Sequence, residues 1–599
     1  MSGFTPQSIA RVMTGVGLGL ALALQPRPVQ ACGGFFCSQT QGVNQAAERI
    51  VFADNGDGTV TAVIEIQYQG PAEKFSWLLP ISSVPQGDQI AVGSSRSFQL
   101  LQQATNPQYS LTTRIEGECD PSPPLLNGGF NGTGGSGSFA SGGGSAGPGG
   151  GVTVEASGLV GSFEWTVISL DAALPEPADV AIQWLSDNGY DIPPGSPGLL
   201  GPYLMDGMYL LALRLQKGAT AGSIRPIVLT YEASRPMIPI KLTAVAANDD
   251  MGVLTWVLSE SQAVPKNYYA LELNEARINW FNASSNYDDV VTAAADDAGG
   301  QGFVTEYAQG TVGLRGTTWT ENDALTWINL RDNLQNLTPS QVVSQSMGLY
   351  SGWDGYWDVF RQHVTLPPGL TVADVQACPF CAAEYTPSPD FLSALETDVI
   401  APAQTIEDLL AASPYVTRLY STLSAAEMTV DPLFTYNPDL EPVSNVHTAE
   451  RVIECGPGYF VNTAPWRIEL PQGGVVRGGP NDIGSWPEPF ANQPANRRIL
   501  RQGESGPGQV LEDNGTSIDQ DISTYSDSVP NPPRNTGGAG NTGGQSGLNR
   551  GDPPDPSELD DGLSPGGGCG CRIGGEPATP GLVLALALGL SGWWRRRKR

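Results

Sequence analysis

The chain has 599 residues, enough for two to four domains, and its apolar fraction of 40% is sufficient for a sizeable buried core. Glycine (74) and proline (49) are abundant and only 15% of residues are charged, a composition that favours strands, loops and linkers over long helices. The net charge of −30 argues against nucleic-acid binding, which needs Lys and Arg for phosphate contacts, and against polybasic docking on anionic lipid.

The N-terminus has the three parts of a secretory signal peptide. Arg11 precedes an apolar run over residues 12–24, a proline-containing turn follows, and the small residue Ala31 precedes Cys32. We therefore expect residues 1–31 to direct export through the Sec machinery, with cleavage between Ala31 and Cys32. A lipobox, in which Cys32 is acylated after cleavage, is the alternative, although the residue before Ala31 fits that pattern poorly.

The predicted folded region, residues 32–525, begins with strands. Residues 59–68 alternate apolar and polar side chains after the turn-forming residues 54–58, which predicts a β-hairpin. Residues 54–58 also resemble half of a calcium-binding loop, but a hairpin turn accounts for all five of them. Further strands are predicted over residues 75–80, 208–215, 227–231, 238–246 and 254–258.

Helical patterns become more frequent in the second half of the chain. Helices are predicted over residues 177–187, 286–298, 340–347 and 406–412. The expected fold class is α+β, with antiparallel strands in a β-rich first half, a more helical second half and disulfide staples. A doubly wound parallel sheet is not expected, because strands and helices do not alternate regularly.

Two low-complexity segments interrupt or follow the folded region. Residues 127–151 are almost entirely Gly, Ser and Asn, which indicates a flexible insertion in a loop. Residues 526–568 are rich in Pro, Gly, Asn and Asp. A flexible segment of about forty residues has an r.m.s. span of ~35 Å, so we expect this one to act as a stalk.

The C-terminal tail, residues 569–599, combines a paired-cysteine motif, a short apolar stretch over residues 581–594 and five basic residues at the end. Fourteen residues form ~21 Å of helix, short of a ~30 Å hydrocarbon core. An ordinary membrane anchor is one interpretation. The short span, the basic end and the cysteines Cys569 and Cys571 favour a sorting signal that is processed.

This tail resembles the MYXO-CTERM tail of myxobacteria and related Gram-negative bacteria. The resemblance covers about the last thirty residues. It implies that a myxosortase-type intramembrane protease removes the helix near Cys569 or Cys571 and that a lipid on a cysteine then holds the protein on the membrane. The localisation expected from both ends of the chain is the cell surface, at the outer membrane of a Gram-negative bacterium.

The region between the two ends resembles the DUF2330 family of exported bacterial proteins. The motifs that carry the resemblance are at residues 32–37 (CGGFFC), 48–52 (ERIVF), 77–80 (WLLP), 303–307 (FVTEY), 417–420 (TRLY), 427–429 (EMT) and 431–432 (DP). The similarity runs across most of residues 32–455. The family is uncharacterised, so the resemblance implies export but supplies no catalytic residues.

Six cysteines remain when the tail is left out, and an even number in an exported protein predicts three disulfides. They are Cys32, Cys37, Cys119, Cys378, Cys381 and Cys455. Six thiols allow fifteen pairings and the sequence does not choose between them, although a local Cys32–Cys37 bridge would pin the new N-terminus.

The C-P-F-C motif formed by Cys378 and Cys381 has a second interpretation, a redox-active thiol pair. That chemistry needs a helix N-terminus at the first cysteine to lower its pKa, and Pro387 and Pro389 leave little room for a helix. A structural disulfide is favoured, and zinc is a third alternative.

The chain contains only two histidines, His363 and His447, so a Ser–His–Asp or Cys–His site must use one of them. Glu306 and Asp431 lie in the family-like motifs, and a single carboxylate does not make an acid–base pair. The G-x-S-x-G match at residues 143–147 lies in the glycine-rich insertion and lacks the context of a nucleophile elbow.

No complete catalytic constellation is visible. The first hypothesis is therefore a non-catalytic surface protein for envelope structure, adhesion or ligand binding, with no cofactor and no metal. The alternative is a surface enzyme, either thiol-redox through Cys378 and Cys381 or hydrolytic through His447.

Overall fold

The computed structural model describes residues 44–69, 76–121, 152–171, 174–190, 196–216, 224–245, 247–333, 336–378, 384–482 and 484–530. All of these ranges belong to one unit of the chain, Met1–Asn535. The predicted signal peptide, the glycine-rich insertion, nearly all of the predicted stalk and the sorting tail lie outside them. Cys32, Cys37, Cys381, Cys569 and Cys571 also lie outside.

Strands occur throughout the described chain. They are β1 (Asn44–Asp54), β2 (Thr59–Gln69), β3 (Ser76–Ile81), β4 (Ile90–Val92), β5 (Gln108–Glu116), β6 (Val152–Val160), β7 (Phe163–Leu170), β8 (Tyr209–Leu215), β9 (Ile227–Glu232), β10 (Ala247–Ser259), β11 (Gln262–Pro265), β12 (Tyr269–Leu273), β13 (Gly302–Gly310), β14 (Val364–Thr365), β15 (Thr386–Pro387), β16 (Tyr415–Leu423), β17 (Phe434–Asn437), β18 (Val446–Glu454), β19 (Trp466–Glu469), β20 (Val475–Gly478), β21 (Asn496–Arg501) and β22 (Gln509–Asp513).

Helices concentrate between β13 and β16. The α-helices of the described chain are α1 (Ser95–Thr105), α2 (Pro177–Asp187), α3 (Ser196–Met205), α4 (Ile240–Thr243), α5 (Tyr287–Asp297), α6 (Glu321–Asp332), α7 (Pro339–Tyr350), α8 (Tyr356–His363), α9 (Val372–Ala377), α10 (Phe391–Leu395), α11 (Ala401–Ala412) and α12 (Gly515–Ser528). This distribution confirms the expected α+β class, with a β-rich first half and a more helical second half.

A ten-stranded mixed sheet forms the centre of the fold. Its order is β22-β21-β12-β13-β16-β10-β1-β2-β9-β4. Neighbours are antiparallel except for β1 with β10 and β12 with β13, which run parallel. Two four-stranded sheets accompany it, in the orders β3-β8-β7-β6 and β20-β19-β18-β5.

The hairpin predicted near the start of the folded region is present as β1 and β2. Asn55 N–H donates to the Thr59 carbonyl, and Gly56 and Gly58 have φ of +73° and +90°. Asp57 accepts from the backbone and the hydroxyl of Thr59, which lowers its pKa. The Asp57 carboxylate therefore stabilises the turn, as the hairpin interpretation requires.

Alternation along β1 builds two separate cores on the two faces of the large sheet. Ile50 and Phe52 face the four-stranded sheet β3-β8-β7-β6, and Val51 faces α1 and α11. The farther end of the large sheet packs against α5 and α12 and against β18–β20. Helices α6–α10 enclose an aromatic cluster of their own.

One predicted strand is wrong. Residues 238–246 alternate apolar and polar side chains, but the structure has the short helix α4 there. Pro239 has no N–H for a ladder and precedes the helix, and Asp431 accepts the Lys241 backbone N–H at 3.0 Å. A partner 190 residues away in the chain therefore decides the local conformation.

The expected disulfide stapling is present between Cys119 and Cys455, whose Cα atoms are 4.8 Å apart. The bridge follows the parallel pair β5–β18, where Cys455 N–H also donates to the Glu116 carbonyl. Within the described ranges, no helix is both long enough and apolar enough to cross a bilayer.

Candidate functional site

An apolar cavity of about 260 Å³ lies between the ten-stranded sheet and the sheet that contains β3 and β8. Both sheets contribute walls because their inner faces carry the apolar residues of the strand alternation. The lining includes Ile50, Phe52, Ile64, Leu79, Leu229 and Met237. Such a concave, mostly apolar space with few polar groups is typical of a ligand site.

Glu48 is the buried carboxyl group of this cavity. It precedes Ile50 and Phe52 on the same face of β1, and its strand neighbours across the sheet are Ile66 and Val253. Its Oε2 atom receives no hydrogen bond, and no described basic group forms an ion pair with it. Burial raises the pKa of this carboxyl to about 7.

The polar rim of the cavity lies at the other end of the strands. Asp54 pairs with Val60 and Val60 with Tyr231, so the rim lies six residues along β1 from Glu48, or ~20 Å. Arg235 lines this end, where its guanidinium stacks over Tyr436 with the ring centroid 4.7 Å away. The cavity is therefore elongated, with different chemistry at its two ends.

A larger groove of about 420 Å³ lies beside α6 and α7. Its walls include the amides Asn329, Asn333 and Gln345, and none of the described residues that line it is charged. The groove offers no group that would recognise a charge, and it is a weaker candidate than the Glu48 cavity.

Glu306 lies in a saturated polar network in the core. Arg418 donates to its Oε2 at 2.6 Å and the Tyr287 hydroxyl donates to its Oε1 at 2.6 Å. Arg418 also donates to the hydroxyl of Thr105, which in turn accepts from the Trp256 indole. Every strong group here has a protein partner, so the network joins α1, α5, β10, β13 and β16 and has little capacity left for a ligand.

His447 lies close to this network but is partly exposed. Its Nδ1 is 2.7 Å from Oε1 of the buried Glu275, and its ring stacks on Tyr109 with centroids 4.5 Å apart. Desolvation, Glu275 and Glu306 raise the pKa of Tyr109. No described residue hydrogen-bonds Nε2 of His447, so no described hydroxyl or thiol is engaged there as a nucleophile.

Asp431 does not join His447 and Glu306. It accepts from the Tyr203 hydroxyl at 2.7 Å, and Lys241 Nζ lies 3.1 Å from its Oδ2. These contacts hold α3 and α4 together, a structural role. The other histidine, His363, lies at the end of α8, where its Nδ1 is 3.0 Å from the Ser388 hydroxyl.

Cys378 is disulfide-bonded and caps the C-terminal end of α9. That end of a helix carries negative partial charge, which disfavours the thiolate that redox catalysis needs. Among the described residues, no group of three His, Cys, Asp or Glu side chains could hold a metal ion.

Sequence reasoning named His447 and Glu306 but missed Glu48, Glu275 and Tyr109. Glu48 stood in a family-like motif, and its place was visible in the alternation of β1, where it shares a face with Ile50 and Phe52. An acidic residue on the apolar side of a strand was the signal. The partners of His447 carried no such signal, because Glu275 lies 172 residues away.

Comparison with known proteins gives a family and no close relative. No match was found among curated proteins, and none among solved structures. A family model described as an uncharacterised protein conserved in bacteria matches residues 27–326, half of the chain. The match includes Glu48 and nearly all of the cavity wall, whereas Arg418 and His447 fall outside it. The chain belongs to this family, DUF2330, and the cavity is the candidate site that lies within the part matched by the family model.

Proposed function

We propose that this protein is exported, anchored at the cell surface and non-catalytic, and that it binds an apolar ligand in the Glu48 cavity. The observation that carries the proposal is the buried carboxyl of Glu48 in an apolar space, where its Oε2 atom has no hydrogen-bond partner among the described residues. An unsatisfied buried carboxyl destabilises the fold, and such departures from good packing concentrate at functional sites.

The address is supported by the sequence of the two ends. A signal peptide over residues 1–31 would deliver the chain across the inner membrane. The tail with Cys569 and Cys571 would then be cut by a myxosortase-type protease, leaving a lipid anchor. The Cys119–Cys455 bridge is consistent with this address, because disulfides persist outside the reducing cytoplasm.

Ligand binding is tested with the neutral dye N-phenyl-1-naphthylamine, whose fluorescence rises in apolar surroundings. We expect saturable binding to the full mature protein. Replacing Ala233 with Phe fills the cavity near its rim and should weaken binding at least tenfold. The matched control Ala412→Phe changes an exposed residue of α11 and should leave binding unchanged. Equal binding by all three proteins would refute the cavity as the site.

Anchoring is tested by deleting residues 569–599 and fractionating cells. We expect the truncated protein in the medium or periplasm, and the full chain in the outer-membrane fraction and accessible to antibody on intact cells. The same surface signal from both chains would refute the sorting tail. A cytoplasmic full chain with free thiols would refute export itself.

A second candidate function, hydrolysis, is favoured by the contact between Glu275 and His447. The carboxylate orients Nδ1, and the unengaged Nε2 could take a proton from a water that attacks an ester carbonyl. The test is hydrolysis of p-nitrophenyl acetate by the native protein, His447→Gln and the matched control His363→Gln. Catalysis lost only in His447→Gln supports this function, and equal rates in all three refute it.

A further inference from the structure

We propose that the Glu48 cavity selects aliphatic amines, with the chain along the apolar walls and the ammonium head against the Glu48 carboxylate. This inference rests on the proposed binding function and specifies its ligand class. It concerns the head group of the ligand, whereas the binding of an apolar dye concerns only the walls.

The first step concerns the counter-charge of Glu48, which no described residue supplies. Its neighbours on the same sheet face, Ile66 and Val253, are apolar, and they donate no hydrogen bond from their side chains. The basic residue beside it, Arg49, points to the opposite face, where it pairs with Glu65 and donates to Gln102 at 2.9 Å. A ligand cation would therefore supply the counter-charge that the described protein does not.

The second step is the position of the other charges that line the cavity. Arg235 and Glu232 are both at the rim, about six strand residues from Glu48. At ~20 Å along the strand, both lie far outside ion-pair and hydrogen-bond distance of a head group at Glu48. At the Glu48 end of the cavity, the Glu48 carboxyl is therefore the one charged lining group among the described residues that can recognise a head group.

The third step compares the possible head groups. A carboxylate head would place two like charges together in an apolar site, which is strongly unfavourable. An alcohol would donate one hydrogen bond and leave the charge of Glu48 uncompensated. An ammonium donates hydrogen bonds and balances the charge, and charge-assisted bonds are about twice as strong as neutral ones. The net charge of −30 also concentrates cations near the protein.

The elongated cavity suits a ligand with one unbranched chain. Octylamine has such a chain with an amine at one end. Octanol and octanoate have the same number of carbon atoms, so these three molecules differ chiefly in the head group.

The experiment is displacement of N-phenyl-1-naphthylamine by octylamine, octanol and octanoate at pH 8.5, where Glu48 is ionised. We expect octylamine to displace the dye at least tenfold more strongly than octanol, with octanoate weakest. In Glu48→Gln the advantage of octylamine over octanol should fall below threefold, while octanol binds as before. Glu469→Gln, which removes an exposed carboxylate of β19 that is not among the residues lining the cavity, is the matched control and should retain the tenfold preference.

The outcomes separate this inference from the proposed function. Dye binding with equal displacement by the three molecules, or with a preference retained in Glu48→Gln, overturns the amine assignment and leaves the apolar site standing. Absence of dye binding overturns both. Circular dichroism and a thermal melt of each variant show that the compared proteins are folded.

Discussion

Two buried glutamates of this protein are held in opposite ways. Glu306 has an arginine and a tyrosine hydroxyl on its two oxygens, whereas the Oε2 atom of Glu48 receives no hydrogen bond from the part of the chain that the structure describes. Both stand in strand motifs that resemble the family, and the sequence gives no means of telling them apart. The difference comes from residues that are distant in the chain, since Arg418 lies 112 positions after Glu306.

The Glu48 carboxyl makes stability depend on pH. Its pKa rises from 4.5 in the unfolded chain to about 7 in the folded one, so the folded state binds the proton more tightly. Stability is therefore highest below pH 4.5 with respect to this group, falls as pH rises through 7, and loses about 3 kcal/mol in all.

We expect Glu48→Gln to remove this dependence. The variant should unfold in denaturant at a higher free energy than the native protein at pH 8.5, and with little difference at pH 5. The measurement is urea unfolding at both values of pH. The control Glu469→Gln removes an exposed carboxylate of β19 and should show neither effect. A Glu48→Gln variant that is less stable at pH 8.5 would contradict the burial argument.

Arg418 and Glu306 should behave as a coupled pair. Replacing Arg418 with Met leaves the Glu306 charge buried and should cost about 3–5 kcal/mol of unfolding free energy. The double replacement with Glu306→Met should cost less than Arg418→Met alone. Arg361→Met breaks a largely exposed pair with Asp358 and should cost under about 1 kcal/mol. A double-mutant cycle in urea measures these values, and additive losses would contradict the coupling.

At the scale of single elements, helices whose start and end signals lie in their own sequence were predicted correctly. The helix predicted at 177–187 has those bounds in the structure, and the helix after Thr338 begins with a capping box at that residue. The strand predicted over residues 238–246 was wrong because Asp431 stabilises the short helix α4 there. Strands β18–β20 were not predicted, since their neighbours come from distant parts of the chain.

The β1–β2 turn depends on glycine at a position with positive φ. Gly58 has φ of +90° with open space around it, so Gly58→Ala should cost about 1 kcal/mol through backbone strain alone. Gly87 also has open space and an ordinary φ, and Gly87→Ala should be neutral or slightly stabilising. Urea unfolding compares the two variants. Equal effects would show that the turn tolerates a side chain.

At the scale of the whole molecule, composition predicted the class of fold but not its topology. The cavity walls come from β1, β2, β3 and β9 and from Leu433, which are spread over nearly four hundred residues. The periodic pattern of apolar residues in the sequence does not indicate which strand faces pack against each other. The sequence therefore predicted a β-rich stapled body, and only the three-dimensional arrangement reveals the cavity within it.

The Cys119–Cys455 bridge closes a long loop, because its two cysteines are 336 positions apart in the chain. The double variant Cys119→Ser, Cys455→Ser should lose about 2–5 kcal/mol of unfolding free energy, because the unfolded chain regains its freedom. Unfolding of the native protein with and without reductant provides the comparison. Reductant should destabilise the double variant less than the native protein, because the disulfide of Cys378 remains to be reduced in both. Equal stability of the double variant and the native protein would contradict a stapling role.

The same bridge determines what a proteolytic nick would do. Residues 127–151 fall after Cys119 and before Cys455, so cleavage anywhere in that glycine-rich segment yields two pieces that remain covalently joined. On a gel without reductant such a protein would migrate as one band, and as two bands after reduction. Release of the amino-terminal piece, which carries Glu48, would then require reduction of the bridge as well as cleavage.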